Sequence, residues 1–139
     1  MKGYFAAITK HGLILNRIIK TLREDNHEVV FDWTSLESLK PYSKNSEKSK
    51  EMANKISLAI SNVDVFVLIS DPAGTDMFVE LGIAIAYQMQ NKISRIYIVG
   101  KYNKRSLMHF HPSIIHVNNL KEVFNKECPK TAEKINVNI

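Results

Sequence analysis

A chain of 139 residues with 45% hydrophobic and 24% charged side chains has the composition of an ordinary globular protein and the length of one domain with a single substantial core. No apolar run reaches the roughly 18 residues that a membrane span needs, and the amino terminus enters a strand-like segment rather than a signal peptide, so the cytoplasm is the expected compartment. The formal charge of +5 comes from dispersed lysines, densest from Lys40 to Lys55 and from Lys101 to Arg105, which a solvated surface explains better than a nucleic-acid polymer; a mildly positive field would also favour an anionic small substrate.

Gly3 to Thr9 (GYFAAIT) is an apolar run predicted as the first strand, and its apolarity places it inside the sheet. Lys10-His11-Gly12 makes the turn. Leu13 to Glu24 then carries Ile14, Leu15, Ile18, Ile19 and Leu22 on one helical face, with Arg17, Lys20 and Glu24 opposite. His27 to Trp33 (HEVVFDW) reads as a second strand, and the strand, helix, strand order implies a parallel crossover. Thr34 to Asn45 is a polar loop holding Pro41, and Asn45 or Ser46 can cap the helix that follows. Met52, Ile56, Ala59 and Ile60 form that helix's apolar face.

Asn62 to Gln88 is the densest unit. Val63 to Ile69 is β-branched and apolar, as a strand covered on both faces should be. Asp71-Pro72-Ala73-Gly74-Thr75-Asp76 is a loop of turn formers, and Met77 to Gln88 returns to helical spacing with Phe78, Leu81, Ile85 and Met89 on one stripe. Beyond it, Ile93 to Gly100 reads as the fourth strand, Lys101 to His111 as a polar loop and Ser113 to Val117 as a short fifth strand. Leu120 to Lys126 is a short helix ended by Pro129, and the alternation of Ile135, Val137 and Ile139 could add an edge strand or a partner contact. Five strands alternating with helices predict an α/β fold: one flavodoxin-like three-layer sandwich on a five-stranded parallel sheet, with a weakly patterned tail from about residue 129.

Several chemistries lack their motifs. There is no GxGxxG after the first strand, no GxxxxGK[ST] and no GxSxG elbow. His109 and His111 could meet a metal only with a third ligand from elsewhere, so no metal is expected, and no cofactor motif appears. Cys128 has no partner for a disulfide and no CxxC neighbour, which fits a buried or idle thiol. What remains is Glu80. It lies one turn into the helix after Gly74, which permits close backbone approach, and after Thr75 and Asp76, either of which can cap the helix. Free N–H groups of that first turn can take a phosphate or a sugar hydroxyl, and the helix dipole should keep Glu80 ionised. Acids in first turns are also ordinary helix stabilisers. An acid flanked by Val79 and Leu81 in an apolar helix points further, to a carboxylate that attacks or stabilises an anomeric carbon.

The strand VDVFVLIS, the loop DPAGTD and the helix VELGIAIAYQ resemble the nucleoside 2-deoxyribosyltransferase-like family, which includes deoxynucleotide N-hydrolases. The likeness extends to GYFAAIT, HEVVFDWT, FHPSIIHV and NNLKEVF, and so covers most of the chain from residue 3 to about residue 125. It implies cleavage or transfer at the N-glycosidic bond of a nucleoside or nucleotide, with Glu80 as nucleophile at C1′. It further implies that Gly74, Thr75 and Asp76 line the sugar or phosphate site, that Asp71 contacts base or sugar, and that Tyr4 and Trp33 stand near the pocket rim or in the core. The family's second acid, on the helix before the central strand, falls here at Ile56. The resemblance therefore leaves the proton donor to Asp71, Asp76 or His111, or leaves the fold as a non-catalytic nucleotide-sensing module. The same unit is similar to Toll/interleukin-receptor-like domains, which implies NAD as an alternative substrate. A homo-oligomer is implied as well, from the apolar helix Phe78 to Met89 and from pockets that the family completes with a neighbouring subunit.

Overall fold

Apolar, β-branched segments that must bury both faces become the strands: β1 (Lys2–Ala6), β2 (Glu28–Val29), β3 (Val65–Ile69), β4 (Arg95–Val99) and β5 (Ile114–Val117). In the computed structural model, which describes residues 1–139, they form one all-parallel sheet in the order β2-β1-β3-β4-β5. That is the flavodoxin-like order, whose switch point lies between β1 and β3. Register is set by alternation: Tyr4 pairs with Phe66 and Phe5 with Val67, so successive residues serve opposite faces.

Two cores result. On one face Phe5, Val65, Val67, Ile69, Tyr97 and Val99 meet Leu15, Ile18, Ile19 and Leu22 of α1 (Gly12–Glu24), Val123 and Phe124 of α4 (Leu120–Glu127), and Ala132 of α5 (Pro129–Ala132). On the other face Tyr4, Ala6, Phe66, Leu68, Ile96 and Ile98 meet Ala59 and Ile60 of α2 (Ser46–Ile60) and Met77, Leu81, Ala84 and Ile85 of α3 (Asp76–Met89). None of these helices is long and apolar enough to cross a membrane.

Four local departures from the sequence reading have physical causes. The second strand stops at Val29, because Asp32 accepts from the Thr34 N–H at 3.0 Å and starts a 3₁₀ turn over Trp33–Ser35. Pro129 does end α4, but it also opens the one-turn helix α5, since proline suits a first helical position. The tail adds no strand to the sheet. Ile135 is buried, Val137 and Ile139 pack on the α1/α4 core, and the Ile139 carbonyl accepts from the Leu120 N–H at 2.6 Å. Met89 is 68% exposed, and the buried residues of α3 are Met77, Leu81, Ala84 and Ile85.

Candidate active site

The loop that delivers α3 is braced from within. Asp71 is buried at the end of β3; its Oδ1 accepts from the Ala73 N–H at 2.9 Å, which forms a tight side-chain turn. Its Oδ2 lies 2.6 Å from Lys10 Nζ and 3.5 Å from His11 Nε2, so the carboxylate ties the loop after β1 to the loop after β3. The Lys10 ammonium holds the Asp71 carboxyl below the usual carboxylate range. Gly74 follows at φ 99°, where a Cβ would come within 2.8 Å of both Ile8 Cγ2 and Met77 Cε. Glycine is required there for both conformation and space.

With the loop fixed in this way, α3 carries Asp76 in its first turn and Glu80 one turn further on. Glu80 Oε1 accepts from the Tyr4 hydroxyl at 2.6 Å, while Oε2 receives no hydrogen bond from the protein. Tyr4 is fully buried and its ring stacks on Phe66 with centroids 5.8 Å apart, so the hydroxyl is held by packing from beneath. Burial pushes the Glu80 carboxyl up to about 7; the nearby Asp76 adds to the rise and the Tyr4 hydrogen bond opposes it. This corrects the dipole argument, because the lost hydration of a largely buried carboxylate outweighs the helix terminus.

A cavity of about 320 Å³ opens over Glu80 between α2 and α3. Its walls are mostly apolar: Met52, Ala53 and Ile56 from α2, Val79 and Ile83 from α3, and Leu39 with Tyr42 from the loop between β2 and α2. Ser49, Ser57 and Asp76 supply the other polar groups. The volume and lining suit a flat ring with a small polar appendage.

Among the residues singled out from sequence, Glu80 and Asp76 line this cavity and Tyr4 joins them through its hydrogen bond. The others do not line it. Trp33 is half-buried against both cores, and its Nε1–H donates to the Phe5 carbonyl at 2.8 Å. Gly74 and Thr75 are exposed in the loop ahead of α3, and Thr75 sits at the cap position without a side-chain cap bond. His111 is taken up by its own loop, with Nδ1 2.7 Å from Ser113 Oγ. Of the three proton-donor candidates, Asp76 alone reaches the cavity. Ile56, where a second acid was expected, faces the same cavity as Glu80.

Leu39, Tyr42, Met52, Val79 and Ile83 were not singled out. Met52 was visible as part of an apolar helix face; nothing in the loop sequence marked Leu39 or Tyr42. His109 is fully buried and stacks on Phe78 at 5.8 Å, and burial pushes its imidazole pKa down. It packs the loop after β4 against α3, and no group of three His, Cys, Asp or Glu side chains is arranged to hold a metal.

The fold has a counterpart among solved structures. The CMP N-glycosidase BcmB of Clostridium botulinum superposes with a TM-score of 0.58 over 91% of this chain and 98% of its own, at 19% sequence identity. The two chains share a fold. No family model matches the chain, and no curated protein matches its sequence.

Proposed function

We propose that the protein breaks the N-glycosidic bond of a nucleoside or nucleotide, with Glu80 as the nucleophile at C1′. The observation that carries this reading is a half-buried carboxylate lining an apolar, ring-sized cavity, held at one oxygen by Tyr4 and free at the other. Apolar walls exclude water and sandwich the base, which fixes C1′ near Oε2 and strengthens every electrostatic interaction there. Oε2 attacks C1′, the bond to the base breaks, and the negative charge of Glu80 and Asp76 favours the oxocarbenium character that develops between the two events. Water, or a second base, then resolves the glycosyl ester. The named activity of the fold's solved neighbour, CMP N-glycosidase, is of the same reaction class and supports the reading.

The test is base release. The protein is incubated with a panel of ribo- and deoxyribonucleosides and their 5′-monophosphates, and the free base is followed by chromatography. Turnover of at least one member, lost on Glu80→Gln substitution, is the expected result. Saturable nucleotide binding without any turnover would favour the sensing module instead.

A further inference from the structure

We infer that Lys10 is a positioning residue for Glu80: its ion pair with Asp71 latches the loop after β1 to the loop after β3 and so fixes the nucleophile from a distance. The inference rests on Glu80 as nucleophile and concerns what holds it in place. It also gives Asp71 a role other than the base or sugar contact that the family resemblance implies.

Both oxygens of Asp71 are engaged within the protein. Oδ1 takes the Ala73 N–H and Oδ2 takes the Lys10 ammonium, with His11 Nε2 further off at 3.5 Å. Asp71 is buried and lines no part of the cavity over Glu80. A buried carboxylate outside the cavity wall makes no contact with a ligand held there.

Three contacts join the segment from Tyr4 to His11 with the segment from Asp71 to Glu80, in opposite chain order. The Tyr4 hydroxyl meets Glu80, Ile8 packs where Gly74 leaves no room for a Cβ, and Lys10 meets Asp71. They run along the seam between β1 and β3, the switch point of the sheet. The middle contact is a close apolar approach; the two outer ones are polar and directional, and they set position. With Tyr4 alone, the far end of the loop could move and take the first turn of α3 with it. That turn has no brace of its own, since Thr75 makes no side-chain cap bond. The Lys10–Asp71 pair is the second fixed point. Exposed ion pairs contribute little as a rule, but here one partner is buried and also holds the Ala73 amide. Removing the ammonium leaves that carboxylate without its counter-charge, and the turn it shapes loosens. Lys10 is itself exposed, so replacing it opens no core.

Lys10→Met, Lys10→Arg, Asp71→Asn and the double variant Lys10→Met/Asp71→Asn are compared with wild type in two ways. One is kcat and KM for a nucleoside or nucleotide that wild type turns over; the other is amide hydrogen exchange followed by mass spectrometry. For Lys10→Met the expected result is a fall in kcat of about 10- to 100-fold, the scale of a roughly 1 Å misplacement, with KM within about threefold. Asp71→Asn should match it, and the double variant should be no worse than either single change, because the two residues act as one unit. Lys10→Arg keeps the pair and should keep most of the activity. Exchange in the peptide over residues 71–78 should quicken by about tenfold in Lys10→Met and stay at the wild-type rate in Lys10→Arg.

An unchanged kcat in Lys10→Met would overturn the inference. So would a raised KM with unchanged kcat in Asp71→Asn, which would make Asp71 a substrate contact, and so would equal exchange in Lys10→Met and wild type. If Asp71→Asn does not fold, the two Lys10 variants decide alone. If wild type releases base from no nucleoside or nucleotide, the glycosidase reading falls and the positioning role with it, whereas the exchange result fails only where the latch itself is absent.

Discussion

The two faces of the sheet are built from similar side chains and serve different ends. Under α1, α4 and α5 the core is closed: Leu15, Leu22, Val123 and Phe124 have no exposed surface, and the tail packs back onto the core. Under α2 and α3 the packing is equally tight near the strands, but it opens one turn higher into a cavity with an acid at its base. Met52 and Ile56 are half-buried there, lining space instead of filling it. One face holds the fold together. The other gives up packing and carboxylate hydration to form a site, a trade typical of functional regions.

Glu80→Gln should break this division most sharply. It removes the proposed nucleophile and nearly isosterically relieves its charge, so base release should fall by roughly 10³-fold or more while the fold is retained. Stability should move the other way, in a defined pH window. Because the folded-state pKa of Glu80, about 7, lies above the ordinary carboxyl value of 4.5, the folded protein binds the proton more tightly, and wild-type stability is lost as pH rises between those values. Glu80→Gln should therefore match wild type at about pH 4 and exceed it by about 1–3 kcal/mol at pH 8 in thermal or denaturant unfolding.

Truncations sharpen the contrast between the faces. Leu15→Ala, on the closed face, should cost about 2–5 kcal/mol in urea unfolding. Ile56→Ala, beside the cavity, should cost about 1 kcal/mol or less, because its side chain already borders empty space. Its effect should instead appear as a raised KM. Gly74→Ala meets both a left-handed backbone and two contacts at 2.8 Å, so a loss of about 1–3 kcal/mol is expected in unfolding, together with reduced turnover as α3 shifts.

Tyr4→Phe should give the smallest change in stability and an informative change in pH response. The hydroxyl is what opposes the rise in the Glu80 pKa. Without it, the rising limb of the kcat/KM profile should move to higher pH. An unmoved limb would mean that the ionisation controlling turnover is not that of Glu80.

Most of the fold was legible because it depends on periodicity: the β-branched run at Val65–Ile69 and the apolar spacing of α1 needed only neighbours in sequence to be read. The end of the second strand was not, because the turn that stops it depends on the Asp32 side chain outcompeting the sheet. The tail forms no edge strand; alternation alone cannot distinguish such a strand from a segment lying on a core. At the site, Glu80 stood out as an acid in an apolar helix. Its ionisation did not, since the dipole argument is local and the burial that overrides it comes from α2 and β1. Tyr4 lies 76 residues from the carboxylate it bonds. Leu39 and Tyr42 reach the cavity from a loop with no pattern to read.

The central claim is that Glu80 bonds to C1′ during turnover. Acid-quenching the protein during reaction with a substrate it turns over, digesting it and weighing the peptides tests this directly. The account predicts one sugar-unit adduct on the peptide that carries Glu80, absent from the Glu80→Gln protein. Base release that persists in Glu80→Gln, or an adduct on any other peptide, would contradict it.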